Sequence, residues 1–315
     1  MQPQADHAEV DTAEYMTFDE LAARYYEDEP RTTTEAEFGA RTHPGKVREA
    51  NEDHYLVVRR RRVRDVILTS LPPELLHQPE QATYTLCVAD GLGGHAFGEM
   101  ASFLALRTGW ELGAGEVKWS VKMNDRESSE MMKKADVFFR LIDRTLRDVG
   151  EEQPRLRNMG TTLTVCYVTG PELFVIHAGD SRAYLYRDGN LRRLTRDHTL
   201  AQTMIDAGLV SEGSAAERQR RHILTNCIGG PDLALEVDVD HLRLTTGDRL
   251  LLCTDGLTKH LEDPDIVALL ERHPVPEDAC RALVDLALER GGRDNVTVVL
   301  GRFAFPGPAE EFPTD

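Results

Sequence analysis

Four aspartates lie at the ends of apolar, strand-like runs, each in a turn marked by glycine or asparagine. They are Asp53, Asp90, Asp255 and Asp294, spread over about 240 positions of the chain. A strand that buries its apolar side chains and ends in a carboxylate directs that carboxylate to an edge of a sheet. Several such edges together would bring like charges close, which requires cations. Hard oxygen ligands without a nearby Cys/His set indicate Mg²⁺ or Mn²⁺.

Short apolar strands and amphipathic helices must position these carboxylates. Apolar runs predict strands at 84–89, 161–168, 173–178, 182–187, 191–194, 234–244, 248–254 and 296–303. Helical spacing predicts helices at 97–112, 129–148, 199–208, 263–272 and 276–290. The order is not a regular βαβ alternation. It predicts an α+β fold with a central antiparallel β-sandwich flanked by helices on both outer faces.

The bulk composition restricts the class of protein. The 315 residues carry a formal net charge of -17 with a pI near 5.1, which disfavours binding to nucleic acid or to an anionic membrane. Five cysteines without close spacing predict buried thiols in a reducing compartment rather than disulfides or a zinc site. No signal pattern or run of 18 apolar residues is found, so a soluble, cytoplasmic, monomeric protein is expected.

Three segments differ from the rest of the chain. Residues 1–35 form an acidic extension, expected to be partly disordered, with a short helix near 17–27, and residues 304–315 form a loose tail. Between them, residues 36–303 form one domain. Residues 59–83 are expected to be a long connection between two strands. Their arginine run is interpreted as a solvated hairpin edge rather than a nucleic-acid patch.

Six short motifs in a fixed order give the most specific signal. In chain order they are Arg48-x-x-Asn51-Glu52-Asp53, Asp90-Gly91-Leu92-Gly93-Gly94-His95, Gly160-Thr161-Thr162, Gly179-Asp180-Ser181-Arg182, Asp255-Gly256-Leu257 and Gly292-Arg293-Asp294-Asn295. Each alone is a weak signal, since Asp-Gly is a common turn. Together they resemble the metal-dependent serine/threonine protein phosphatases of the type 2C (PPM) family, in particular its bacterial branch. The resemblance covers roughly residues 36–303.

The resemblance implies a β-sandwich with a two-metal site at one end, occupied by Mn²⁺ or Mg²⁺. It assigns metal ligation to Asp53, Asp90, Gly91 (through its carbonyl), Asp255 and Asp294. Asp90 would bridge both ions. Arg48 would face the substrate phosphate, since a planar guanidinium can bind two oxygens. Glu52 and Asn295 would support the site from beside it.

Other positions have two interpretations. Asp180 could hold a third ion or cap the turn that follows it. Some family members carry another acidic third-metal ligand where this chain has Lys259, which argues against a third ion. His198 could contact the substrate or be an ordinary residue of a mobile loop. Animal members carry a histidine where this chain has Leu92, so the resemblance does not assign a general acid here.

The resemblance implies hydrolysis of phosphoserine and phosphothreonine by a water or hydroxide that bridges two divalent ions. The absence of Cys-x5-Arg and Asp-x-Asp-x-Thr signatures agrees with a route that has no phosphoenzyme. The expected partners are phosphoproteins made by a bacterial-type Ser/Thr kinase. A catalytically silent binding module on the same fold and a hydrolase of small phosphates are the alternatives.

Overall fold

A computed structural model describes residues 34–62, 65–71, 81–93, 96–115, 125–230 and 235–305. These residues belong to one compact unit, Thr33–Pro306. The acidic extension with its expected helix and the C-terminal tail lie almost entirely outside the described residues.

Two antiparallel sheets form the centre of the fold. The first sheet has the order β1 (Glu35–His43), β12 (Val296–Ala304), β11 (Arg249–Cys253), β7 (Arg182–Arg187) and β8 (Asn190–Arg193). The second has the order β10 (Asp238–Arg243), β6 (Glu172–Ala178), β5 (Leu163–Thr169), β3 (Gln81–Leu92), β4 (Gly160–Thr161) and β9 (Ile228–Gly229), while β2 (Asp53–Arg62) pairs with β3.

The helices of the described residues fall into three groups along the chain. They are α1 (Ala96–Gly115), α2 (Asp125–Glu152), α3 (Leu200–Asp206), α4 (Ala215–Arg218), α5 (Asp255–Thr258), α6 (Asp263–Arg272) and α7 (Pro276–Glu289). A 3₁₀ turn at Pro154–Leu156 follows α2. The long helices α1 and α2 precede the central strands, α3 and α4 lie in a connection between strands, and the last three precede β12.

The apolar core has three layers, which confirms the predicted sandwich with helices on both outer faces. The layer between the sheets contains Leu86, Val88, Leu250, Leu252 and Val299. One outer layer packs α6 and α7 on the first sheet, and the other packs α1 and α2 on the second. Strand β11 is apolar at four consecutive positions because alternate side chains enter the inner layer and the layer under α6 and α7.

Several local predictions are close to the structure. The helix predicted at 263–272 is α6, and the strand predicted at 182–187 is β7. Asp188 and Gly189 have φ angles of 50° and 79°, so the β7–β8 hairpin closes through two left-handed residues, as an Asp-Gly pair favours.

The prediction of a connection over 59–83 is wrong at both ends. Strand β2 continues through Arg62 and β3 begins at Gln81, so the four arginines belong to a strand. Within the described residues β2 pairs only with β3, and it therefore lies at an edge of the sheet. An edge strand accepts charged residues because part of it faces water, and Arg59 and Arg61 are exposed.

No helix in the described part of the chain is both long enough and apolar enough to cross a lipid bilayer.

Candidate metal centre

Two of the aspartates come from neighbouring strands of the second sheet. Asp53 opens β2 and lies directly opposite Asp90 of β3 in the antiparallel register. Asp53 is only 4% exposed, and its Oδ2 accepts hydrogen bonds from the hydroxyls of Thr254 (2.8 Å) and Thr297 (2.7 Å). Both threonines belong to the first sheet, because Thr254 directly follows β11 and Thr297 lies in β12. Asp53 therefore ties the two sheets together beside Asp90.

The other two aspartates come from the first sheet. Strands β11 and β12 are antiparallel neighbours, so the end of one lies beside the start of the other. Asp255 directly follows β11 and opens α5, while Asp294 lies just before β12. Lys259 closes α5, and its Nζ contacts Asp255 Oδ2 at 2.5 Å and Asp294 Oδ2 at 2.7 Å. The topology thus brings both carboxylates to the edge that carries Asp53 and Asp90.

Asp90, Asp255 and Asp294 share one acidic pocket of about 310 Å³. Its lining residues are Arg48, Glu52, Asp90, Gly91, Leu92, Gly93, Asp180, His222, Leu224, Asp255, Lys259, Asp294 and Asn295. Most of the residues predicted from the motifs therefore meet at one mouth of the sandwich. Asp53 does not line the pocket and is buried at the end of β2.

Arg48 lies at the rim of this pocket. Its Nε donates to Asp294 Oδ1 at 2.9 Å, and its side chain is 55% exposed. Asp294 therefore receives one cation from the rim and a second, Lys259, from α5. Burial acts to raise the pKa of Asp294, but the combined charges of Lys259 and Arg48 hold that pKa below its usual value.

Two glycines permit the strand ends to pack closely. A Cβ at Gly91 would lie 2.0 Å from the carbonyl oxygen of Gly98 in α1, and a Cβ at Gly256 would lie 1.9 Å from the carbonyl oxygen of Asn295. Both distances are far inside van der Waals contact. Each Asp-Gly motif is thus explained by packing, since the residue after the carboxylate must have no side chain.

Asn295 connects the segment that carries Arg48 to the turn that carries Asp294. Its Nδ2 donates to the carbonyl oxygens of Pro44 (2.9 Å) and Ala50 (2.8 Å), and its Oδ1 accepts the Glu52 N–H (2.8 Å). Asn295 is 7% exposed. These three bonds hold the β1–β2 loop against the start of β12.

Asp180 and His198, both predicted from the sequence, have different surroundings. Asp180 is 7% exposed and lines the acidic pocket. His198 is 6% exposed and is absent from the lining. Its Nδ1 accepts the Gly179 N–H at 3.1 Å and its Nε2 donates to Asp238 at 3.0 Å. In this geometry His198 holds the backbone that precedes Asp180, rather than the mouth of the pocket.

Sequence reasoning missed other parts of the site. His222 and Leu224 line the pocket from the segment after α4. Thr254 and Thr297 hold Asp53. The threonines lie next to predicted aspartates or inside predicted strands, but a hydroxyl bond between sheets has no signature in a single sequence.

The carboxylates are in an environment that opposes their charge. Burial raises the pKa of Asp53 to about 7, despite the hydrogen bonds from Thr297 and Thr254. Burial also raises the pKa of Asp90, and the neighbouring charge of Asp53 adds to this effect. The pKa of Asp255 is raised by burial as well, against the opposing charge of Lys259. A pocket of this kind is stabilised by additional positive charge.

The oxygen donors of the pocket suit divalent cations in their chemistry. Two buried carboxylate oxygens, Asp53 Oδ1 and Asp255 Oδ1, have no hydrogen-bond partner among the described residues. Unsatisfied buried oxygens in an acidic pocket are suited to hard cations. With the side chains in this conformation, no three Asp, Glu, His or Cys groups in the described ranges converge closely enough to hold one ion. Lys259 lies between two of the carboxylates instead.

The raised pKa values lead to a prediction about metal and pH. A carboxyl group with a raised pKa in the folded state stabilises that state when protonated. For Asp53 this contribution is complete below its ordinary pKa of 3.8 and is lost as the pH rises through about 7. Metal ions bind the deprotonated form. We therefore expect Mn²⁺ to raise the melting temperature more at pH 8 than at pH 5, as measured by thermal melts with and without Mn²⁺.

An equal or larger gain at pH 5 would contradict this account of the carboxylates. Asp285, an exposed aspartate on α7, provides the control: Asp285→Asn is expected to show the same dependence as the unaltered protein.

A second cavity, of about 480 Å³, lies under α1 and α2. It is larger, but its described lining is largely apolar and contains no acidic side chain. It therefore offers no ligands for a hard cation, and the acidic pocket is the better candidate for catalysis.

Comparison with known proteins points to one family. Residues 74–286 match the family model described as protein phosphatase 2C. These residues include Asp90, Asp180 and Asp255, whereas Asp53 and Asp294 lie outside them. Serine/threonine protein phosphatase PstP of Mycobacterium tuberculosis is 37% identical over 215 residues, which cover 68% of this chain and 39% of PstP. The chain thus spans well under half of that relative. Serine/threonine phosphatase stp of Listeria welshimeri is 29% identical over 84% of this chain and 94% of its own length.

Solved structures agree with the sequence comparisons. The catalytic domain of PstP in complex with two manganese ions has a TM-score of 0.67 at 31% identity, covering 86% of this chain and 100% of that one. Stp1 from Staphylococcus aureus has a TM-score of 0.69 at 27% identity, covering 87% and 97%. The family match, the shared architecture and the ordered aspartate motifs together show that the chain belongs to the protein phosphatase 2C family.

Proposed function

We propose that this chain is a metal-dependent protein serine/threonine phosphatase. The observation that carries the proposal is the meeting of Asp90, Asp255 and Asp294 in one acidic pocket with an arginine at its rim. Relatives named as serine/threonine protein phosphatases support the choice of substrate. The manganese-bound PstP structure supports two Mn²⁺ or Mg²⁺ ions as cofactors.

Each residue has a defined task in this proposal. Asp90, Asp255 and Asp294 would hold the ions, with Asp53 behind them and the carbonyl of Gly91 as a further ligand. When bound, the ions supply an activated water and neutralise charge on the phosphoryl oxygens. Asp180 is the candidate ligand for any third ion, since it lines the same pocket.

Arg48 would bind the substrate phosphate. Its contact with Asp294 holds the guanidinium at the pocket rim, and five N–H donors exceed what one carboxylate can accept. A phosphoryl group at the rim could therefore receive two parallel hydrogen bonds. Glu52 lines the pocket beside it, and Asn295 holds the loop in place.

We also propose that the protein acts in the cytoplasm as a monomer, on phosphoproteins made by a bacterial-type Ser/Thr kinase. All five cysteines are buried and free, which suits a reducing compartment. Native mass measurement and fractionation of cells that express the protein test the two parts of this proposal.

Hydrolysis of p-nitrophenyl phosphate and of a phosphothreonine peptide, each with Mn²⁺ and with a chelator, tests the activity. The proposal expects Mn²⁺-dependent turnover of both. Nucleotides should be turned over at least about 100-fold less efficiently than the peptide, since the described lining of the pocket contains no Phe, Tyr or Trp on which a base could stack. Faster turnover of nucleotides would favour a small-phosphate hydrolase, and no turnover of any substrate would favour a silent binding module.

Arg48→Met is expected to raise KM for the phosphopeptide about tenfold, because a charge-assisted bidentate bond to phosphate is lost. Steady-state kinetics on the peptide measure the change. Arg48→Lys keeps the charge but not the fork of donors, so it should recover only part of the affinity. A KM that stays unchanged in Arg48→Met would place the phosphate elsewhere.

A further inference from the structure

The acidic pocket already contains a cation that belongs to the chain. Lys259 Nζ lies within 2.5 Å of Asp255 Oδ2 and 2.7 Å of Asp294 Oδ2, and its side chain is only 26% exposed. Asp255 and Lys259 are four residues apart, at the start and the end of α5, so one helical turn fixes their contact. The ammonium group thus bridges two carboxylates that come from opposite ends of adjacent strands.

The charge of Lys259 reaches further than this pair. It also opposes the burial-induced rise in the pKa of Asp90 and of Asp180. Lys259 therefore lies near four carboxylates of the pocket. A divalent ion held by Asp255 and Asp294 would need the oxygens that the ammonium group now contacts.

The net charge of the pocket also indicates that Lys259 opposes the binding of divalent ions. Six carboxylates belong to the site: Glu52, Asp53, Asp90, Asp180, Asp255 and Asp294. When all six are deprotonated, as metal binding requires, the two cationic side chains Arg48 and Lys259 leave four negative charges, which two divalent ions would cancel. A neutral residue at position 259 would leave five, so the pocket would attract divalent ions more strongly.

We propose that Lys259 is a tethered counter-ion that competes with divalent metal for the Asp255–Asp294 carboxylate pair. It holds the pair together in the metal-free protein, and a divalent ion must displace it from these oxygens. Because the fraction of protein with the pair released sets the apparent affinity, Lys259 weakens metal binding and makes it more readily reversible. This inference rests on the proposed metal site and concerns how that site is filled.

Calorimetric titration of the metal-free protein with Mn²⁺ tests the competition. Lys259→Gln removes the charge, and we expect the Kd of its most weakly held Mn²⁺ to fall about tenfold or more. A tenfold change corresponds to a lysine that is paired with the two carboxylates in about nine-tenths of the metal-free molecules. Lys259→Arg keeps a positive charge at the same position, so its Mn²⁺ affinity should stay within about threefold of that of the unaltered protein. Lys46→Gln removes an exposed lysine that does not line the pocket, and it should change nothing.

Thermal melts provide an independent readout. Without metal, Lys259→Gln should melt at a lower temperature, since Asp255 and Asp294 then repel each other, and Mn²⁺ should restore the loss. If the variant cannot be prepared without metal, it can be purified with Mn²⁺ and mixed with excess chelator. Release of Mn²⁺ should then be slower than from the unaltered protein.

The outcomes separate this inference from the proposed function. An unaltered protein that binds no Mn²⁺ would overturn the metal site itself. Mn²⁺ binding by the unaltered protein, with equal or weaker binding by Lys259→Gln, would overturn only the competition and make Lys259 a residue that positions the two aspartates.

Discussion

Asp90→Asn is expected to lower kcat/KM on the phosphothreonine peptide about 1000-fold or more, because charge stabilisation by a bound metal ion is worth several kcal/mol. Asp90 lies opposite Asp53 at the end of β3 and lines the acidic pocket with Asp255 and Asp294. Asparagine keeps the shape of the side chain and removes the negative charge, so cation binding should fall with the activity. Mn²⁺ calorimetry on the same variant measures this second effect.

The metal-free stability of Asp90→Asn distinguishes a functional role from a structural one. Burial and the charge of Asp53 raise the pKa of Asp90, which means that the ionised group is unfavourable in the folded protein. At pH 8 without metal, the variant should therefore melt at the same temperature as the unaltered protein or higher. A clear fall in the melting temperature would show that Asp90 supports the fold. Asp285→Asn, which removes an exposed charge from α7, should leave activity and stability unchanged.

Asn295→Ala is expected to lower the free energy of unfolding by about 2–4 kcal/mol, since it leaves three backbone groups without their partner. These groups are the carbonyls of Pro44 and Ala50 and the N–H of Glu52. Urea unfolding of the metal-free protein measures the loss. The loop that carries Arg48 should also become less well held, so KM for the peptide should rise in parallel.

Asn295→Asp is the matched control for this effect. Its carboxylate can still accept the Glu52 N–H, but its second oxygen would face the carbonyl oxygens of Pro44 and Ala50 with no proton to donate, and it adds a negative charge to the acidic pocket, so its stability should fall at least as far as that of the alanine variant. If Asn295→Ala lowers the free energy of unfolding by less than about 0.5 kcal/mol, as a neutral surface substitution does, water must replace these hydrogen bonds without loss of stability.

Periodic patterns predicted the long elements well. The helix expected at 129–148 is the central part of α2, because the hydrophobic spacing that predicts a helix is the same spacing that packs Phe139, Ile142 and Leu146 under it. The interpretation of the arginine run as a solvated hairpin edge agrees with β2, an edge strand paired antiparallel with β3. Its inclusion in a connection over 59–83 is wrong because four consecutive charges show no alternation, which an edge strand with one side in water does not need. Backbone pairing with β3 decides this case.

The metal centre could be predicted only in part. Ordered Asp-Gly and Asp-Asn pairs identify the carboxylates, and at Asp90 and Asp255 the following glycine is required because there is no room for a Cβ. The role of Lys259 depends on the distance between its ammonium group and two carboxylates, and no spacing in the sequence encodes the second of these contacts. His198 is the opposite case. The sequence suggested it as a possible substrate contact, but its side chain is buried, accepts a hydrogen bond from the Gly179 N–H and donates one to Asp238.

The hydrogen bonds from Thr254 and Thr297 to Asp53 have a consequence for the speed of metal uptake. They join the two sheets at the end of the sandwich that carries the acidic pocket, with groups that the chain itself provides. The two sheets are therefore joined at the acidic pocket before any cation arrives, and loading requires movement of side chains such as Lys259 but not closure of the layers. Association should then be limited by dehydration of the incoming ion and by exchange with the lysine, rather than by a slow rearrangement of the protein.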